Sequence, residues 1–72
     1  MILIYYTNIN TRQDHSKLKA ILDPIDGIED WHVDLEDCDK VLRIISAGDL
    51  SQHISQLLPT LGFTGTLMLK SE

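Results

Sequence analysis

Two stretches of the chain end alike, and that pairing constrains the fold more than any other feature. Leu22-Asp23-Pro24-Ile25-Asp26-Gly27-Ile28 and Leu57-Leu58-Pro59-Thr60-Leu61-Gly62-Phe63 share the pattern L-x-P-x-x-G-apolar, 35 residues apart. Each has the composition of a helix stop. Proline lacks the N–H that a helix interior would use, and glycine takes the left-handed turn that closes a helix. Two such stops in a chain of 72 residues predict two copies of one strand–helix–strand unit.

The residues between the stops fit that unit. Ile2 to Tyr6 is apolar at every position and reads as a buried strand. Thr7 to Asp14 then turns into a helix whose opening pair is Thr11 and Asp14, a hydroxyl that accepts from a first-turn N–H and an acid three residues on. Leu18, Ile21, Leu22 and Ile25 recur at helical spacing, Pro24 ends or kinks the helix and Gly27 stops it. Trp31, Val33 and Leu35 alternate with Asp30, His32, Asp34 and Glu36, which predicts a half-buried strand. Asp37-Cys38-Asp39 is a turn signal. Val41 to Ile45 is a further strand, with Leu42 and Ile44 on one face and Val41, Arg43 and Ile45 on the other. Asp49 and Gln52 are positioned to cap a second helix with the apolar face Leu50, Ile54, Leu57, Leu58 and Leu61. Pro59 interrupts that helix, Gly62 closes it, and Thr64 to Lys70 is a last short strand.

Strand, helix, strand, strand, helix, strand is the order of the split βαβ, ferredoxin-like sandwich. The expected fold is therefore α+β: a four-stranded antiparallel sheet with both helices on one face and the first and third strands in its centre. One domain accounts for the whole length.

Composition narrows the function. Eleven carboxylates against six Lys and Arg give a net charge of −5, and the basic residues do not cluster, so nucleic acid is not the expected partner. Glu29, Asp30, Asp34, Glu36, Asp37 and Asp39 fall within eleven positions. They suit a solvated strand edge that discourages aggregation, or an acidic surface for a basic partner or a cation. No apolar run reaches the roughly 20 residues of a membrane span, and the apolar start is too short for a signal peptide. A single Cys suits a reducing compartment, so a cytoplasmic protein is expected.

On these residues the chain resembles the heavy-metal-associated domains of copper chaperones and metal-pumping ATPases. Ile25-Asp26-Gly27-Ile28, Trp31 to Glu36, Lys40 to Ile44 and Leu61-Gly62-Phe63 look like that family's P-G-V, V-x-V-D-L-E and L-G-Y segments. Counting back from Gly27 lays Ile9 to Asp14 on the family's M-T-C-x-x-C loop, with Ile9 in the packing place of the Met. Thr11 and Asp14 then occupy the two thiolate positions, and Phe63 stands where bacterial members often have Tyr. Copper(I) prefers thiolates, which a hydroxyl and one carboxylate do not replace. The resemblance therefore implies the scaffold without its metal chemistry, and no cofactor.

Three kinds of function remain open to the sequence. The first is a non-catalytic interaction module. If Ile4 and Tyr6 face the helices, then Leu3, Tyr5, Val41, Arg43 and Ile45 form a mixed apolar patch on the open sheet face, suited to a protein partner or a homodimer. The second is a metal site on other ligands, with Asp14, His15 and Cys38 brought to one end of the sandwich for zinc or copper. The third is catalysis. Asn8, Asn10 and Arg12 precede the first helix as a phosphate cradle would, but no Gly-rich loop accompanies them and the chain is acidic, so an enzyme is not expected.

Overall fold

In a computed structural model, which describes Met1–Ser71, six elements follow one another: β1 (Ile2–Thr7), α1 (Arg12–Leu22), β2 (Ile28–Val33), β3 (Leu42–Ser46), α2 (Ser51–Thr60) and β4 (Gly65–Ser71). The strands form one antiparallel sheet in the order β2-β3-β1-β4, so β1 and β3 are central and β2 and β4 are edges. This is the ferredoxin-like βαββαβ arrangement that the doubled helix stop implies.

The core lies between the sheet and the helices. Leu3 and Tyr5 of β1, Val33 of β2 and Leu42 and Ile44 of β3 pack with Leu18 and Leu22 of α1 and Ile54 and Leu58 of α2. Ile9 and Phe63 close its ends. Trp31 and Leu35 are half-buried against the same cluster, on the face their alternation predicts.

Only the second helix stop works through glycine: α1 ends at Leu22 with Asp23 as its cap, and the expected stop at Gly27 is instead the turn that leads into β2. Gly27 has φ +98° and Gly62 φ +85°, the left-handed region that costs other residues strain. At the second stop, Gly62 N–H donates to the Pro59 carbonyl and Phe63 N–H to the Leu58 carbonyl, both at 3.0 Å, the two bonds of a Schellman close. The repeat is not symmetrical about its prolines. Pro24 lies beyond α1, which ends at Leu22, whereas Pro59 sits inside the last turn of α2 and does not interrupt it.

Three other expectations are corrected. The face of β1 is reversed: Leu3 and Tyr5 are fully buried, Ile4 is half-buried and Tyr6 is 42% exposed. Strand side chains alternate, so a one-residue error of phase moves every residue to the other face. The phase is fixed by Tyr5, whose hydroxyl donates to the Ser51 carbonyl at 2.7 Å at the start of α2. Next, β2 ends at Val33 rather than Glu36, because the Asp34 carboxylate accepts from the N–H groups of Glu36 and Asp37 and bends the chain into the hairpin loop. Finally, the residue that precedes α2 is Leu50, and Gln52 does not cap it. Asp49 contributes from one position earlier, accepting from Ser51 N–H at 3.0 Å and Ser51 Oγ at 2.6 Å.

Candidate functional site: the loop end and the open sheet face

The loop between β1 and α1 is filled by its own hydrogen bonds. Thr11 Oγ1 accepts from Asp14 N–H at 3.0 Å, and Asp14 Oδ2 accepts from the N–H groups of Thr11 and Asn10 at 3.3 and 3.2 Å. This is a complete capping box. Ile9 is buried beneath it. Asn8 Oδ1 accepts from Thr64 N–H at 2.8 Å and ties the loop to the approach to β4. Asn8 thus has a structural use that no local motif announces, since its partner lies 56 residues away. Asn10 and Arg12 are exposed.

Of the alternative metal ligands, Asp14 and His15 serve other contacts. His15 is half-buried and its ring tilts against Trp31, with centroids 5.0 Å apart. Trp31 Nε1 donates to Asp23 Oδ1 at 2.9 Å, and Lys19 Nζ donates to Asp23 Oδ2 at 2.7 Å. These two donors, Lys19 before Trp31, hold the Asp23 carboxyl below its usual range. Cys38 is exposed in the β2–β3 loop. Its polar neighbours are Asp37 and Asp39, whose ligand atoms come within 4.8 Å of one another and of the thiol. Asp14 and His15 are not part of that group. The loop is shaped by turn bonds, Asp39 N–H to Asp37 Oδ1 at 2.9 Å and Lys40 N–H to the Asp37 carbonyl at 3.1 Å. The β1 end joins it through Thr7 Oγ1, which donates to the Lys40 carbonyl at 2.5 Å. The two loops therefore do share one end of the sandwich, as expected.

The sheet face away from the helices is open. Its residues follow from the register: Ile2, Ile4 and Tyr6 of β1, with Ile45 and Arg43 of β3 opposite Ile2 and Ile4, and Leu69 of β4 on the other side of Ile4. Val41 continues this face ahead of β3, and His32 of β2 pairs with Arg43. Val41, Arg43 and Ile45 lie where the sequence places them, while Leu3 and Tyr5 are replaced by Ile2, Ile4 and Tyr6. Leu69 is 49% exposed. Asp30, Trp31, His32, Arg43 and Ile45 border a shallow cleft of about 70 Å³. Pockets for small molecules run to roughly 300 Å³ or more, so this one is much smaller than such a pocket. No helix among the described residues is long and apolar enough to cross a membrane.

No family model, no curated protein and no solved structure matches the chain.

Proposed function

We propose that the chain is a small non-catalytic binding module that docks a protein partner on its open sheet face, built on a scaffold resembling the heavy-metal-associated domains without their thiolate chemistry. The observation that carries this reading is the uncovered apolar centre of the sheet. Ile2, Ile4, Tyr6, Ile45 and Leu69 adjoin one another in register with no element over them among the described residues, and Arg43 and His32 border them. An apolar centre with a polar rim is the make-up of a protein–protein interface. The loop that would hold metal in the resembling family adds support. Its two side chains at the thiolate positions, Thr11 and Asp14, are both taken up by backbone N–H groups.

Titration of the reduced protein with Cu(I) and with Zn²⁺ against a competing chelator, with amide NMR shifts recorded, tests the loss of metal function. The reading expects no binding tighter than about 10⁻⁵ M, roughly −7 kcal/mol. Tight 1:1 binding with shifts at Asp14, His15 and Cys38 overturns it in favour of metal trafficking on new ligands.

A further inference from the structure

Asp26 and Gly27 are both exposed in the turn that joins α1 to β2. The backbone nitrogen that follows an aspartate can close a five-membered ring on the side-chain carboxyl. A glycine at that position leaves the nitrogen unshielded, since it has no Cβ, and gives the backbone the freedom that ring closure needs. Closure also requires a carboxyl that is free to turn and a backbone N–H that no acceptor holds. Among the described residues, Asp26 accepts no hydrogen bond and meets no cation, and Gly27 N–H has no acceptor. Only the Gly27 carbonyl is engaged, by Ala47 N–H at 2.7 Å.

Every other aspartate fails at least one of these conditions. Asp23 precedes Pro24, whose nitrogen carries no hydrogen. After Asp14, His15 N–H donates to the Thr11 carbonyl at 3.0 Å. Asp30 and the bulky Trp31 are both held in the ladder, opposite Ile45 and Ile44. The carboxylates of Asp34, Asp37 and Asp49 accept backbone N–H groups. Hydrogen bonds from Ser51 and then Lys70 also keep Asp49 ionised, and a carboxylate resists attack where a carboxylic acid does not. After Asp39, Lys40 N–H donates to the Asp37 carbonyl at 3.1 Å.

We propose that Asp26–Gly27 is a site of spontaneous aspartate isomerisation in the folded chain. The Gly27 nitrogen attacks Asp26 Cγ, an N–Cγ bond forms, and the carboxyl oxygen leaves as water together with the amide proton. Water then opens the succinimide at either carbonyl. Breaking the new N–Cγ bond restores aspartate. Breaking the original peptide bond leaves the chain running through Cγ, as isoaspartate, with the former main-chain carbonyl as a free carboxylate. One water leaves and one returns, and nothing is oxidised. The product has one more methylene in its backbone, directly ahead of the Gly27 carbonyl that holds Ala47 N–H. Next in the chain is Ile28, which pairs with Ser46 and packs on the core, so the entry to β2 is displaced from its register. This site is independent of the open-face reading.

The test is to age the folded protein at neutral and at mildly acidic pH, then digest it with trypsin. The tryptic peptide Ala20–Lys40 carries Asp26 together with Asp23, Asp30, Asp34, Asp37 and Asp39, so electron-transfer fragmentation ranks these sites within one molecule. The expected result is a second chromatographic peak of identical mass that grows with time, with its isoaspartate at Asp26. A form one water lighter accumulates at mildly acidic pH, where more of the carboxyl is protonated. The folded protein converts within about tenfold of the rate of a synthetic Ala20–Lys40 peptide, a barrier difference under about 1.4 kcal/mol. Asp26→Glu, which needs a six-membered ring, gives no second peak, and Asp26→Asn converts faster because ammonia leaves more readily than water. Conversion slower than the peptide by more than about tenfold shows that the fold protects the turn and overturns the proposal. So does isoaspartate that forms first at another aspartate, or a second peak that persists in Asp26→Glu.

Discussion

Leu3 has no exposed surface, and Ile4 beside it is half-buried on the opposite face of β1. A charge at Leu3 enters a core with no partner for it. Leu3→Glu is expected to cost more than about 3 kcal/mol, much of the stability of a domain this small. Ile4→Glu is expected to cost under about 1 kcal/mol. Urea denaturation of the two variants checks the phase of β1: equal losses, or a larger loss at Ile4, contradict it. That phase was not legible because Ile2 to Tyr6 is apolar throughout, so nothing in the strand alternates. In β3, Leu42-Arg43-Ile44 does alternate, and its faces are as read. Tyr5 adds a pH dependence. Burial raises its phenol above the usual value of 10.0, against the opposing effect of the Ser55 hydrogen bond. The folded state therefore holds the phenol proton more tightly than the unfolded chain does, and stability falls as pH rises past 10. Denaturation midpoints above that pH decline less steeply in Tyr5→Phe if this is right. Asp49 acts at the other extreme. Hydrogen bonds from Ser51 and then Lys70 lower its carboxyl from 3.8 to about 2. Its contribution is complete above pH 3.8 and is lost as pH falls toward 2. Asp49→Asn should thus flatten the acid limb of the stability curve in that window.

At the scale of elements, the start of α1 and the close of α2 were the most readable features and the strand ends the least. Thr11 with Asp14 announces the start of α1, and the capping box forms as written. Thr11→Ala is expected to cost about 1 kcal/mol, a fall in melting temperature of roughly 4–8 °C for a domain of this size. An unchanged melting temperature means the loop is not a cap. Gly62 was equally plain, because its turn needs positive φ, whereas α1 ends at Leu22, ahead of both Pro24 and Gly27. Pro59 misled because a proline near the end of a helix removes one hydrogen bond without forcing the last turn to open. The end of β2 was misplaced for a different reason. Asp34 keeps the alternation going on paper, but its carboxylate finds two backbone donors in the loop, and that local bond outcompetes another rung of the ladder. The contacts of Asn8, Trp31 and Asp23 join residues distant in sequence or sitting on different elements, and no periodicity encodes them.

At the scale of the molecule, the sheet offers chemically different surfaces: a helix-covered face, an acidic edge, an apolar edge and an open apolar face. The fold was recoverable from element order because each element carries its own pattern. The candidate surface was recoverable in part. Val41, Arg43 and Ile45 come from a strand with readable phase, whereas Ile2, Ile4 and Tyr6 emerge only when the phase of β1 is known. The functional reading rests on that face, and crosslinking reports on it most directly. A photoreactive residue at Arg43 or Ile45, both away from β4, is compared with one at Lys17 of α1 or Gln56 of α2, in cells that express the chain. The account predicts one and the same heterologous adduct from both open-face positions and none from the helices. An adduct formed from the helix positions alone contradicts the assignment of the open sheet face as the binding surface.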